Sequence, residues 1–422
     1  MRSLRRWGTM ALESGRLAAT GIRAQPLRSS LAVMGVVIGI VTVTLVTSVL
    51  AGVRGQVALL FREFGSDNIF AYHRRGDPYS PPSQAEAQRR TLDPAWAEPI
   101  ARLGDDIREV GVQLIVPTVV GGRALTARAN GGEADKALVE GLTANFFEVT
   151  GAEFEAGRPF STLEAATGAR VAVIGSNIAQ ALFGRGQSVG KRILLGGTEF
   201  FVVGEAAPRK GGFFGENRQD NVIAVPIDTA RRLYPSAKDT VFYIRAEPGR
   251  RDAARSEAEA ILRRLRDLAP EQENDFNLST ADQIIAQLDQ VSALIGLVTL
   301  ALAAVSLGIG GIGIANVMII AVTERTREIG VRRAIGAPRR EVMRQFLLEA
   351  AMLSLAGGAL GVLVAWAIGA LLFLVAPALA SVPPLWVVVG GLAASFATGV
   401  VAGYGPARRA AALDPVEALR YE

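Results

Sequence analysis

The sequence predicts an α-helical membrane protein with four transmembrane helices and a large extracytoplasmic α+β domain. Three observations carry this reading. Long uncharged runs rich in Val, Ile and Leu occur toward both ends of the chain. A long polar section separates the first run from the rest, and arginine is concentrated in the segments that flank the runs.

A helix needs about 20 apolar residues to cross a bilayer core. Residues 29–53 lie between Arg28 and Arg54 without a charge and predict a first span over 31–53. No charge occurs between Asp289 and Glu324, which gives a second span over 294–322. The uncharged run from Ala350 to Ala407 is too long for one crossing. Pro377 and the Pro383-Pro384 pair divide it into spans over 350–375 and 385–404, because proline lacks the backbone donor that a helix needs.

Arginine sets the orientation. Residues 1–28 carry six Arg against Glu13, residues 324–349 carry seven Arg against four Glu, and the tail from Arg408 balances three Arg with three acids. Together these segments are +8 against +5 for the whole chain, so residues 54–289 are −3. Basic loops stay in the cytoplasm. Both termini and residues 324–349 are therefore expected inside, with residues 54–289 outside. A pI near 9.8 then reflects topology, and no nucleic acid is expected as a partner. The outer section has no Arg/Lys cluster with interleaved aromatics.

Ahead of the first span, Leu4, Trp7, Ala11, Leu12, Ala18 and Ile22 recur at helical spacing, with Arg5, Arg6, Arg16 and Arg23 around them. This predicts an amphipathic helix within residues 1–28, lying on membrane lipid in the inner headgroup layer. A disordered basic leader is the alternative. The apolar run that follows is too long, and lacks a nearby small-residue site, for a cleaved signal peptide. The lack of cysteine removes disulfide and thiol chemistry without naming a compartment.

The outer section predicts two β-α-β units, one beside each flanking span. The first has a strand at 67–72, a helix at 94–103 and a strand at 109–117; the second has a strand at 240–246, a helix at 250–268 and a strand at 276–280. Between them, strands are expected at 123–129, 137–141, 170–174, 191–195, 199–203 and 222–225, with Gly131-Gly132 and Gly196-Gly197 as hairpin turns. Residues 74–92, with Pro78, Pro81 and Pro82, read as a mobile loop. The expected domain is an α+β subdomain formed by 54–118 and 235–289, with a β-rich insert at 119–234.

Enzyme motifs fail on context. Gly308-Ile-Gly310-Gly-Ile-Gly313 fits a dinucleotide fingerprint, but it lies inside a span, where glycine serves close helix packing. The segment RGQSVGKR (185–192) resembles a P-loop without the first Gly or the final Ser/Thr. Gly186-Gln-Ser188-Val-Gly190 fits a nucleophile elbow, yet a helix precedes it and the only histidine, His73, comes earlier, in the predicted loop. With no Cys and one His, the usual zinc ligand sets are missing, and no metal site is expected. Nothing predicts a catalytic residue, so the chain is not expected to be an enzyme.

The segment GIANVMIIAVTERTREIGVRRAIGA (313–337) resembles the signature of the MacB/FtsX superfamily of ABC transporter permeases, which includes LolC and LolE. LTANFFEVTGAEFEAGRPF, VAVIGSNIAQALFG and GKRILLGGTEFFVVGEA are similar to the MacB periplasmic core domain. PARRAAALDPVEALRYE resembles the family's cytoplasmic C-terminus.

The resemblance implies a homodimer or heterodimer of four-span permeases in the cell inner membrane. It implies a porter-like subdomain with a Sabre-like insert (119–234) and an FtsX-like permease domain over 290–422. No cofactor is expected in this chain. ATP and Mg2+ would bind a separate cytoplasmic ABC ATPase, whose strokes reach the periplasm by mechanotransmission. A periplasmic adaptor and an outer-membrane channel are further partners it allows.

In this picture the ATPase-coupling element is residues 324–337. A single helix there puts Val331, Ala334 and Ile335 on one apolar face. Arg325, Arg327, Arg332 and Arg333 supply donors elsewhere, and Glu324 and Glu328 lie one turn apart. Thr326, Ile329 and Gly330 complete the segment, with Gly330 and Gly336 as breaks. A plain membrane anchor would need the arginines but not the two glutamates. Gly35 and Gly39, Gly357 and Gly361, and Gly399 and Gly403 are small-xxx-small pairs, suited to packing within one chain or between two. Two functions stay open, export or extraction of a substrate on the outer side, and a signalling scaffold that regulates an envelope hydrolase.

Overall fold

The computed structural model describes residues 26–420, apart from 64, 66, 75–88, 118, 121–122, 130, 136, 185, 210–216 and 376–380. Most of the predicted N-terminal helix and of the 74–92 loop thus lies outside the described residues. The chain divides into two compact units, Met1–Val53 with Gln290–Glu422, and Arg54–Asp289.

Along the chain, helix α1 (Pro26–Glu63) leads to β1 (Asn68–Tyr72), α2 (Ala97–Leu103) and β2 (Ile107–Ile115). The middle section holds strands β3 (Val119–Val120), β4 (Arg123–Ala124), β5 (Ala127–Ala129), β6 (Gly132–Ala134) and β7 (Leu138–Leu142), then α3 (Phe146–Val149), β8 (Phe154–Gly157), α4 (Thr162–Ala166) and β9 (Val171–Ile174). It continues through α5 (Ser176–Phe183), β10 (Arg192–Leu195), β11 (Thr198–Ala206), β12 (Val222–Pro226) and α6 (Ile227–Leu233). Strand β13 (Asp239–Ala246), α7 (Arg251–Leu265) and β14 (Asn277–Thr280) close this section. Five helices follow, α8 (Ala281–Glu324), α9 (Thr326–Ala334), α10 (Arg339–Val375), α11 (Leu385–Ala412) and α12 (Pro415–Arg420).

In the Arg54–Asp289 unit the two β-α-β units interlock. Strands run in the order β14-β1-β13-β2 with antiparallel neighbours, so each crossover skips one strand of the other unit. This is the split β-α-β arrangement. Alternation along the strands sends Val110, Val112, Leu114, Phe242 and Ile244 into one core with Ile100 of α2 and Ala254, Ala258 and Leu262 of α7. Tyr72, Val241 and Tyr243 join a second core with Phe146 and Phe147 of α3.

The middle section is bonded into the same sheet, since β2 pairs with β7 and the order continues β7-β12-β9-β11-β10-β5-β6. The expected strand at 123–129 is two, β4 and β5, and the section expected as mostly β also carries α3 to α6. Gly196 and Gly197, both at positive φ (54° and 87°), make the predicted turn between β10 and β11. His73 stands outside the strand, in the bend where the predicted loop begins. It lies buried just after β1, where its Nε2 accepts a bond from Arg74 Nε at 3.2 Å and burial pushes its pKa down.

Among the described residues, four helices are long and apolar enough to cross a membrane. Helix α8 runs 44 residues, well beyond one span, because a reciprocal cap starts it early. Gln283 N–H donates to Thr280 Oγ1 at 3.3 Å, and Thr280 N–H donates to Gln283 Oε1 at 3.2 Å.

The paired glycines all pack within the chain. A Cβ on Gly35 would lie 2.7 Å from the Gly310 backbone nitrogen, and one on Gly39 would lie 3.3 Å from Ala303 O. Gly357 and Gly361 meet Val33 and Ile40 of α1, while Gly399 and Gly403 meet Ala350 of α10. Ser354 and Ser395 add reciprocal bonds between α10 and α11, each hydroxyl donating to the other's carbonyl at 2.6 and 2.5 Å.

A side chain at Gly35 must therefore push its own backbone away from that of Gly310. Gly35→Val is expected to destabilise the solubilised protein by about 1–3 kcal/mol, the usual range for overpacking. Gly308→Val, at a position with nothing within 4 Å, should not. Equal thermal midpoints for the two variants would refute the packing argument.

Candidate functional site at the end of the second span

The segment at 324–337 is not one helix. Glu324 is the last residue of α8, and Arg325 takes a non-helical backbone (φ −105°, ψ 15°) before α9 begins at Thr326. The hydrogen-bond ladder survives the break, as Arg325 N–H donates to Ala321 O at 3.2 Å and Ile329 N–H to Arg325 O at 3.0 Å. Thr326 Oγ1 donates back to Val322 O and Thr323 O at 3.0 and 2.9 Å. Glu324 and Glu328 therefore stand on two helices with a bend between them.

The far end of α9 is sharply closed. Gly336 has φ 106°, its N–H donates to Arg333 O, and Ala337 N–H donates to Arg332 O, both at 3.1 Å. This is a Schellman stop, which needs a residue free to adopt positive φ. Arg332 and Arg333 in the last turn suit the negative end of the helix dipole. Gly336 is thus the break that the sequence suggested. Gly330 is not a break, since it lies buried inside α9.

One side of α9 faces its own chain. Thr326, Ile329 and Gly330 are buried, and Ile329 joins a core with Met318, Val322, Val342, Phe346 and Ala410. Gly330 rests against α12, where its Cβ would lie 2.6 Å from that of Ala418. That contact joins residues 88 positions apart, and no local pattern announces it.

Side chains tie α9 to α10 as well. Arg325 Nη1 donates to both oxygens of the nearly buried Glu349 carboxylate, at 3.1 and 3.5 Å. Arg332 pairs with Glu328 one turn back and donates to Gln345 Oε1 at 2.9 Å. Glu349 and Gln345 were not expected in this role.

The other side is open. Val331 is 42% and Ile335 83% exposed, and Ala334 is exposed with them. Arg327, Glu328 and Arg332 stand exposed around this apolar patch. The arrangement offers a partner an apolar centre with a mixed-charge rim that includes arginine, which suits recognition of carboxylates.

The enzyme-like motifs take no part. Ser188 is buried and donates its hydroxyl to Glu205, and Lys191 lies over the Phe183 ring at 5.0 Å. Among the described residues, no group of three or more His, Cys, Asp or Glu is placed to hold a metal ion.

Residues 29–261 match the family model of the MacB-like periplasmic core domain, and residues 300–415 match that of the FtsX-like permease C-terminal domain. The pyoverdine export ATP-binding/permease protein PvdT of Pseudomonas entomophila is 35% identical over 397 residues, covering 94% of this chain and 57% of the relative. The macrolide export ATP-binding/permease protein MacB of Chromobacterium violaceum is 32% identical over 414 residues, 97% of this chain and 61% of the relative. The chain thus spans about three fifths of the length of these relatives. Among solved structures, the periplasmic region of MacB from Actinobacillus actinomycetemcomitans aligns with a TM-score of 0.41 and 16% identity, over 54% of this chain and 95% of that one.

Proposed function

Since the chain belongs to the MacB/FtsX-type family of ABC transporter permeases, we propose that it couples ATP hydrolysis by a separate ABC ATPase to export of a substrate from the periplasmic side of the inner membrane. The observation that carries this reading is α9, a short helix held on one side by its own chain and open on the other through Val331, Ile335, Arg327, Glu328 and Arg332. In this reading the ATPase docks on the open side, and ATP and Mg2+ bind on that polypeptide. The relatives named for pyoverdine and macrolide export favour export of a secreted small molecule over a signalling scaffold. A second permease chain completes the assembly. The paired glycines are already used inside the chain, so other surfaces must join the two copies.

The proposal fixes a topology, with both termini and α9 cytoplasmic and residues 54–289 periplasmic. The chain has no cysteine, so single ones report cleanly. In cells with a permeabilised outer membrane, an impermeant thiol reagent should label Leu163→Cys (73% exposed) and spare Ile335→Cys. The reverse pattern would invert the protein and remove α9 from the reach of a cytoplasmic ATPase.

A further inference from the structure

We infer that α12, the short helix after the fourth span, is a positioning element of the coupling site that sets the angle and depth at which α9 meets its ATPase. The inference rests on the coupling role proposed for α9. Helix α9 has nine residues, and an isolated helix of that length is marginal in water. Its orientation must come from what it packs against.

Arg325 and Glu349 fix its root, and Ala418 fixes its middle through the close approach to Gly330. Helix α12 is itself shaped for this task. Asp414 Oδ1 accepts the Val416 N–H at 2.8 Å, Pro415 supplies a preset first residue, and Ala418 lies only 2% exposed. The small residue on each helix brings the backbones together, with Ala418 Cα only 3.6 Å from the Cβ position of Gly330. One added methyl on either side must push α9 away from α12. Helix α12 covers Gly330, while Ile329 packs into the core with Met318, Val342 and Phe346 and Thr326 bonds back to α8, so together these contacts leave Val331 and Ile335 for the ATPase.

The test is a size exchange, read in membranes that hold the full chain with its ABC ATPase. Gly330→Ala adds the methyl from the α9 side and Ala418→Val adds bulk from the α12 side. Each is expected to lower ATPase stimulation by about fivefold, within the range of coupling changes for residues that touch neither ligand, while the chain still accumulates in the membrane. Gly330→Ala combined with Ala418→Gly removes the clash and should restore stimulation. Full stimulation by both single variants overturns the inference, as does failure of the exchange to rescue Gly330→Ala. Where Gly330→Ala fails to accumulate, Ala418→Val decides by itself. Absence of stimulation by the unaltered chain would sink the coupling reading first and this inference with it. A stimulated ATPase that ignores the variants would sink only the role of α12.

Discussion

Reversal of two charges, Glu328→Arg with Arg332→Glu, is expected to abolish transport while the chain still folds and inserts. The two residues are one turn apart on the open side of α9 and pair with each other. Reversal recreates the pair with opposite polarity, and the Gln345 amide can donate to the new carboxylate as readily as it accepts from the arginine. The contacts within the chain are thus conserved. The chief internal cost is an unfavourable alignment with the helix dipole, about 0.3–1 kcal/mol for each charge. What changes outright is the sign presented to a partner. Membrane yield and thermal midpoint should stay near those of the unaltered protein, while transport and ATPase stimulation fall to background. Normal transport by the double variant would make these charges part of an anchor and nothing more.

Loss of Arg325 is expected to act differently, through the fold of the site. Among the described residues its guanidinium is the hydrogen-bond partner of the Glu349 carboxylate, and Glu349 is 7% exposed. Breaking a buried ion pair from one side costs about 3–5 kcal/mol, because the remaining charge stays desolvated. Arg325 is itself partly exposed, so the expected loss for Arg325→Ala is at the low end, about 3 kcal/mol. Arg327→Ala, at an exposed position two residues on, should fall within about 0.5 kcal/mol of the unaltered protein. The exchange Arg325→Glu with Glu349→Arg should recover much of the difference. Equal unfolding midpoints for Arg325→Ala and Arg327→Ala would show that the pair contributes nothing to holding α9.

The spans were legible in the sequence because charge and hydrophobicity act over long windows, and a bilayer tolerates few exceptions. Their extensions were less so. Helix α8 begins at Ala281 because of a Thr280–Gln283 cap, a signal four residues long that the apolar run overshadows. The short helices α3 to α6 escaped for a related reason. At 4 to 8 residues they are too brief for helical periodicity to emerge, although the Ser161–Glu164 capping box of α4 stands in the sequence.

At the candidate site, residue types pointed to a charged, exposed segment, and the structure supplies the shape. The bend at Arg325 has no Gly or Pro to mark it, because tertiary pairing with Glu349 shares in fixing that residue. Gly330 read as a break since glycine weakens an isolated helix, whereas here it permits the approach of Ala418 from far along the chain. The glycine pairs were legible as packing positions. Which helix each one meets is a property of the fold, and α1, α8, α10 and α11 use all six among themselves.

Whether this chain transmits work without hydrolysing ATP itself can be read from ATP turnover in a reconstituted membrane. The purified full chain and its ABC ATPase are placed in lipid nanodiscs, alone and together, and ATP turnover is followed alongside nucleotide binding. The chain alone is expected neither to bind nor to hydrolyse ATP. Turnover by the ATPase should rise when the unaltered chain is present, and the Glu328/Arg332 reversal should remove that rise. Nucleotide binding by the isolated chain, or an ATPase indifferent to its presence, would contradict this reading.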